Sequence, residues 1–542
     1  MECRELKKRY ESLKTNRASV EEIWNEIERY IVPFRGKMFE RDVSENAVEW
    51  SKYRLYDSTA VQAAHTLAAS MQGSLVSPAT KWFYLTFSDD DLDKDNEAKE
   101  WLEECEETMY SKIQESNFNM EMAETLLDLS SFHTAAMVEE YDEQNGQLIF
   151  NAIPIKETFF ELDHHGRVSF FVRIMEWPIA RLVEKFGKDG LPESLKNKAD
   201  NPSLANDRIE VAFAIYKRPE NADSDISKPL APEARPMGFK YFTLGTQEQI
   251  GEEGGYFEMP AFVPRWEKAS GSDYGYGPSQ IAMPDIKMLN TLVEMITRAA
   301  EKVIDPPTMG KSRGVLGDLD MGPGGHTTVR DVNDIKVLES GARFDVSQLQ
   351  KEGLQQSIRQ TFRVDELEMK ESPAMTATEV QVRYELMQRL LGPTLGRLQN
   401  DLLDPIIQTT FNILFRNGLL PDPPQVVLEA AAEMNVEYLG PLSRAQKMDQ
   451  VAVVEGWVAS IAPLVEVKPE ILDIIDFDAL ARETADMRGV PAVIVRSESQ
   501  VKKVRQEREE EQARIAAIEE ARAEGEAMEA VGKGEQAMGP VQ

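Results

Sequence analysis

At 542 residues and 42% hydrophobic content the chain is too long for one cooperative core and too apolar to be disordered, so two or more folded regions are expected. Its formal net charge of −33 excludes the simplest kind of DNA- or anionic-membrane-binding protein, because most of its surface repels phosphate. Cys3 and Cys105 are too few for a disulfide framework and point to a reducing compartment. The charged opening "MECRELKKRYESLKTNR" is not a secretory signal, and Glu455 and Glu466 break the most apolar stretch before the roughly 20 residues a membrane helix needs.

From Glu5 to Tyr30, Leu6, Tyr10 and Leu13, then Val20, Ile23, Trp24 and Ile27, recur at helical spacing and predict one or two amphipathic helices. "DSTAVQAAHTLAASMQGSLV" predicts another, ended by Ser77-Pro78, and "KWFYLTF" has the aromatic and β-branched character of a strand. More helix is expected between Asn96 and Ser131. Between Leu148 and Lys268 the period changes to two: Val168, Phe170, Val172 and Ile174 share one strand face, and Ile209, Val211, Phe213 and Ile215 share another. "FFELDHHGRVSFFVRI" reads as a hairpin turning at Asp163 to Gly166, with further strands expected at Phe239 to Leu244 and Tyr256 to Trp266. Pro219 to Pro236 reads as a loop.

Past "GSDYGYGPSQ" the helical period returns. Ile286, Leu289, Val293, Ile296, Ala300 and Val303 share one side of a helix that stops before Asp305-Pro306-Pro307, and Lys287, Arg298 and Lys302 fall on roughly the opposite side. The glycine-rich stretch from Thr308 predicts a compact β-containing excursion. A second helix starts near Asp345, with Val346, Leu349, Leu354, Ile358 and Phe362 at helical intervals and Arg359 and Arg363 one turn apart. After the polar interruption "EMKESPAMT", Thr376 and Glu379 form a capping box for a very long helix with the stripe Met387, Leu391, Leu395, Leu398, Leu402 and Ile406, closed by Gly418. Its forty-odd residues would span about 60 Å, bent at Pro393 and Pro405. More helix is expected from Ser443 to Arg496, and a charged, helix-prone tail follows from Val501. The fold class is mainly α with an antiparallel β region.

Catalytic and ligand motifs are weak. "MGPGGH", which ends at His326, lacks phosphate-loop spacing and its lysine; Asp91, Asp93 and Asp95 resemble a calcium loop, but Asn96 and Leu102 stand where glycine and glutamate belong. Asp163, His164 and His165 fit an exposed turn better than a metal site, since neighbours on a strand face opposite ways. No cofactor, metal or catalytic residue is assigned. Lys370 with Arg359 and Arg363 is a small positive locus that Glu366, Glu368 or Glu371 could neutralise.

The order helix, glycine-rich knob, helix, short loop, very long kinked helix resembles the portal, or head–tail connector, proteins of short-tailed double-stranded DNA bacteriophages. The resemblance rests on "YDSTAVQAAHTLAASMQGSLVSPATKWFYL" (Tyr56 to Leu85) and "ESPAMTATEVQVRYELMQRLLGPTLGRLQNDLLDPII" (Glu371 to Ile407), and covers about Met1 to Pro424. It implies a non-enzymatic virion protein, assembled in the host cytoplasm as a homo-oligomeric ring, usually of twelve copies, at one capsid vertex. It divides the chain into a wing at 1–276 completed by the long helix at 376–418, stem helices at 277–304 and 345–366, a clip at 305–344, a tunnel loop at 367–375, a crown at 419–500 and a charged tail or barrel at 501–542. The implied partners are double-stranded DNA passing non-specifically through the channel, the terminase large subunit and then tail or adaptor proteins at the clip, and the major capsid and scaffolding proteins; no membrane is implied.

Carried onto this sequence, the resemblance puts Glu368, Met369, Lys370, Glu371 and Ser372 at the channel constriction and Lys287, Arg298, Lys302, Lys351, Arg359 and Arg363 among the stem charges. Lys311, Arg313, Asp318, Asp320 and Arg330 fall in the docking clip. Physically, a head-to-tail contact repeated around an axis leaves a hole, and a mostly acidic rim lets a polyanion slide where a basic one would hold it. A helical scaffold or adaptor without a channel is the competing reading, and a hydrolase has no motif behind it.

Overall fold

The computed structural model describes residues 1–33, 55–76, 81–88, 95–201, 203–221, 230–310, 335–337, 344–367, 392–430 and 434–438, with isolated positions between them and scattered helical positions from 453 to 514. In chain order these form α1 (Cys3–Tyr30), α2 (Thr59–Leu75), β1 (Phe83–Phe87), α3 (Asn96–Glu115), α4 (Phe118–Phe132), β2 (Met137–Asp142), β3 (Gln147–Ala152), β4 (Thr158–Leu162) and β5 (Val168–Pro178). Then come α5 (Ile179–Phe186), α6 (Glu193–Ala199), β6 (Arg208–Lys217), β7 (Met237–Thr243), β8 (Gln249–Tyr256), β9 (Ala261–Phe262), β10 (Glu267–Lys268), β11 (Gly275–Tyr276) and α7 (Pro278–Ile304). The described chain continues with β12 (Thr308–Gly310), β13 (Ile335–Val337), α8 (Phe344–Thr361), α9 (Val364–Leu367), α10 (Asp404–Arg416), α11 (Gln425–Ala430) and β14 (Met434–Tyr438). The class is mixed helix and antiparallel sheet, as expected. Two compact units are present, one of residues 1–82 and 110–417 and the other of 83–109 and 418–542.

In the first unit β4–β8 form a five-stranded antiparallel meander in sequence order. The β4–β5 hairpin turns where expected: the Asp163 carboxylate accepts the backbone N–H groups of His165 and Arg167, a side-chain mimic of a backbone turn. Leu6, Tyr10 and Leu13, one stripe of α1, pack on Phe159, Phe170, Val172, Ala212, Ala214, Tyr216 and Phe242, so α1 covers one face of the sheet. Burying each large side chain of this cluster is worth about 1.5–3 kcal/mol. Arg17 staples the same helix to the strand entry: its guanidinium donates to the carbonyls of Ile155 (3.1 Å), Lys156 (3.1 Å) and Thr158 (2.6 Å) and lies 3.5 Å from the Phe159 ring centroid.

Two expectations fail here. Tyr256 to Trp266 is not one continuous strand: Tyr256 ends β8 opposite Met237, Ala261 and Phe262 pair with Val138 and Met137 of β2, and Arg265 makes an isolated bridge to Thr134, because Pro260 and Pro264 have no N–H for a ladder. Nor is the long helix regular between Pro393 and Pro405. Its described part, 392–416, passes through one π-helical turn at Gln399–Leu403 before Pro405, which shifts the bonding register where the proline donor is missing. Residues 376–391, Pro393's preceding turns included, lie outside the described residues.

In the second unit β1 pairs antiparallel with β14, the Trp101 indole N–H donates to the Pro421 carbonyl (2.9 Å), and burial pushes the Cys105 thiol up to about 12. Gly418, the expected stop residue, has φ +64.

Candidate functional site

Helix α7 spans Pro278–Ile304, within one residue of the 277–304 that the resemblance assigns to a first stem helix, and its N-terminus is seated by distant residues. His133 ends α4 in the left-handed conformation. Its buried ring accepts the Ser279 backbone N–H at Nε2 (3.1 Å), so an otherwise orphaned helix N-terminal donor is satisfied. The Ser279 hydroxyl in turn donates to the Ser130 carbonyl (3.2 Å). Burial depresses the imidazole to about 3, and Nδ1 has no partner among the described residues. Gly277 just before the helix is required by space: a Cβ there would lie 2.5 Å from His133 Cδ2 and 2.8 Å from Trp266 Cδ1.

Further along, Ala282, Met283, Ile286, Leu289 and Asn290 are buried. The Asn290 side-chain Oδ1 accepts the Tyr56 backbone N–H (2.7 Å), and Asp285 accepts the Ser357 hydroxyl of α8 (2.7 Å). The expected apolar face fades toward the C-terminus, where Val303 is 53% exposed. A second apolar stripe went unread in the sequence: Ile281, Met288 and Met295 are 62%, 60% and 62% exposed. Spaced by seven, they share a line about 160° round the helix from the buried face; that repeat was the available signal.

The predicted cations of α7, Lys287, Arg298 and Lys302, fall beside this stripe by helical geometry, and three of the six predicted stem cations form ion pairs among the described residues. Lys287 pairs with Glu26 of α1, Arg298 with Glu294 (2.6 Å), and Arg359 with Asp365 (3.0 Å). Lys302 is exposed and Lys351 half-buried. Arg359 and Arg363 do not stack on one helix, because α8 ends at Thr361 and Arg363 has φ +57; the buried ring of Phe362 takes the turn inward. Leu349, assigned by its spacing to the packed stripe of α8, is 71% exposed, whereas Ile358 and Phe362 are buried.

Glu368, Met369, Lys370, Glu371 and Ser372 lie outside the described residues, as do Lys311, Arg313, Asp318, Asp320 and Arg330. Of the knob between the stem helices, β12 and β13 are described and pair antiparallel, which is the β-containing excursion expected there. Among the described residues no group of acidic, histidine and cysteine side chains has metal-binding geometry, and no helix is long and apolar enough to cross a membrane.

Residues 3–495 match the family model described as bacteriophage head to tail connecting protein. The chain is 30% identical over 521 residues to the probable portal protein of Bordetella phage BPP-1, covering 94% of this chain and 91% of that one. It is 25% identical over 518 residues to the portal protein of Salmonella phage epsilon15, covering 93% and 90%.

Proposed function

The chain belongs to the bacteriophage head-to-tail connecting protein family, and from that membership we propose that identical copies close into a ring at one capsid vertex. Its role is the portal role, structural and non-enzymatic: double-stranded DNA passes through the ring during packaging and ejection, and the ring docks terminase and then the tail.

The carrying observation is the two-sidedness of α7. One face is locked into its own subunit, while Ile281, Met288 and Met295 stand exposed with nothing of the described chain over them. A head-to-tail ring needs such a surface, since each copy must offer apolar area to a neighbour that is not its own core. Of the adjacent cations, Lys287 and Arg298 are tied to Glu26 and Glu294 and Lys302 stands exposed, in a chain of net charge −33, which supports a rim that grips phosphate weakly through counterion release. On this reading α7 and α8 are the stem, β12 and β13 belong to the clip that meets terminase and tail, and Lys370 lines the constriction between stem and long helix. Negative-stain micrographs of the purified chain test the reading. Closed rings with a central pore support it; compact particles without a pore at every concentration favour a scaffold or adaptor.

A further inference from the structure

A half-open cleft of about 1130 Å3 lies in the first unit, on the face of the five-stranded sheet opposite α1. Phe239 and Tyr241 of β7 and Tyr256 of β8 form one wall, Glu139 and Glu140 enter from β2, and Phe411 and Arg416 come from α10. None of the residues assigned above to stem, clip or constriction lines it.

Its cations are already engaged. Lys185 donates to the Tyr241 hydroxyl (2.9 Å), Arg235 donates to the carbonyls of Leu230 (3.2 Å) and Gly255 (2.9 Å), and Arg416 donates to Glu258 (2.7 Å). Both guanidinium groups also lie over the Phe257 ring, at 4.7 and 4.5 Å. Of the acids, Asp142 accepts from Gln144 and Asn145, and Glu258 from Asn412 and Arg416, whereas the other three are less committed. Glu140 accepts from the Tyr256 hydroxyl (2.8 Å), and Glu143 is exposed at the rim. Glu139 is 1% exposed; its Oε1 accepts from the Thr410 hydroxyl (2.7 Å), and its Oε2 has no partner among the described residues. A carboxyl oxygen left unpaired in so dry a position is costly unless something comes to meet it. Including Asp142 and Glu258, the lining holds five acids against the three cations, and aromatic walls favour a cation over an anion.

We propose that this cleft binds an organic cation, an alkylammonium group whose apolar stem lies between the aromatic walls and whose nitrogen donates to Oε2 of Glu139. Burial, reinforced by Glu258, holds the Glu139 carboxyl well above the usual carboxylate range, which favours its protonated form until a cation arrives. The incoming ammonium keeps its own protons, and Glu139 ionises and releases one to solvent. Lys185, Arg235, Arg416, Glu140, Glu143, Asp142, Tyr241 and Tyr256 share the cleft and set the field in which that proton is lost. A free diamine and the lysine side chain of a partner protein present the same chemistry.

The test is calorimetric titration of the full-length protein with putrescine at neutral pH, in two buffers of different ionisation enthalpy, with butanediol as the uncharged control. The proposal expects saturable binding of putrescine alone and release of about one proton. Glu139→Gln should weaken binding about tenfold or more and abolish the buffer dependence. Glu140→Gln keeps an acceptor for Tyr256 and should weaken binding about two- to fivefold with the proton release intact, so a folding defect at position 139 does not leave the question open. If putrescine gives no heat but a lysine-containing peptide binds with the same proton release, the site stands and its ligand is a partner's side chain. Absence of binding by either cation overturns the proposal. So does binding whose affinity and proton release survive both substitutions.

Discussion

Replacing Met288 and Met295 together by glutamate attacks the proposed contact between copies while leaving each subunit's own packing alone. Both side chains are about three-fifths exposed in the single chain. Full burial of such a side chain is worth about 1.5–3 kcal/mol, so covering the remaining area contributes about 1–2 kcal/mol each, and about 3–5 kcal/mol for the stripe with Ile281. The double variant loses about 2–4 kcal/mol at every interface and gains two carboxylates that must be desolvated or turned away. At about 1.4 kcal/mol per tenfold, each contact weakens by well over tenfold, so the concentration needed for assembly in sedimentation velocity should rise by at least that factor. The subunit itself should keep its melting temperature, since exposed substitutions of this kind usually change stability by less than about 0.5 kcal/mol. Assembly of the folded double variant at the parental concentration would refute the reasoning.

Arg17→Met should lower unfolding free energy by about 3 kcal/mol or more, because it strips the donor from three carbonyls at the entry to β4; chemical denaturation of the single chain measures it. Glu139→Gln should stabilise the protein at neutral and alkaline pH: the folded carboxyl titrates far above its ordinary 4.5, so the native chain loses stability as pH rises above that value, and the amide removes the loss. His133 has the opposite slope. Its folded value of about 3 lies below the ordinary 6.5, so the unfolded chain binds the proton first and stability declines as pH falls from about 6.5 toward 3; His133→Asn should flatten that limb of a pH–melting profile. Lys370→Glu should impair DNA packaging or retention in a plaque and genome-release assay, and unchanged values in both would remove that residue from the constriction.

Helices with strong punctuation were legible in the sequence. Asp305-Pro306-Pro307 marks the end of α7 to the residue and its start at Pro278 lies one residue from the expected 277, and Asp163 to Gly166 marks the hairpin because its side-chain turn is local. The misses are non-local or register-dependent. The pairing of β1 with β14 joins segments far apart in sequence, and no local pattern announces it. A π turn at Gln399–Leu403 leaves helical periodicity nearly intact, and the left-handed Arg363 carries none of the glycine or asparagine signal for that conformation. On α7 the cation positions were readable by counting turns, but the pairing of Lys287 with Glu26 depends on how α1 packs. The seat built by His133, Gly277 and Ser279 was likewise hidden: a lone histidine after an apolar run reads as core, and only the fold brings it to the start of α7.

Native mass spectrometry of the purified full-length chain bears most directly on ring closure. A head-to-tail contact that closes should give one dominant species, a fixed multiple well above two subunits, that falls to monomers when the α7 stripe carries charge. A spectrum holding only monomer and dimer, or an unbounded ladder of oligomers with no preferred size, would contradict it.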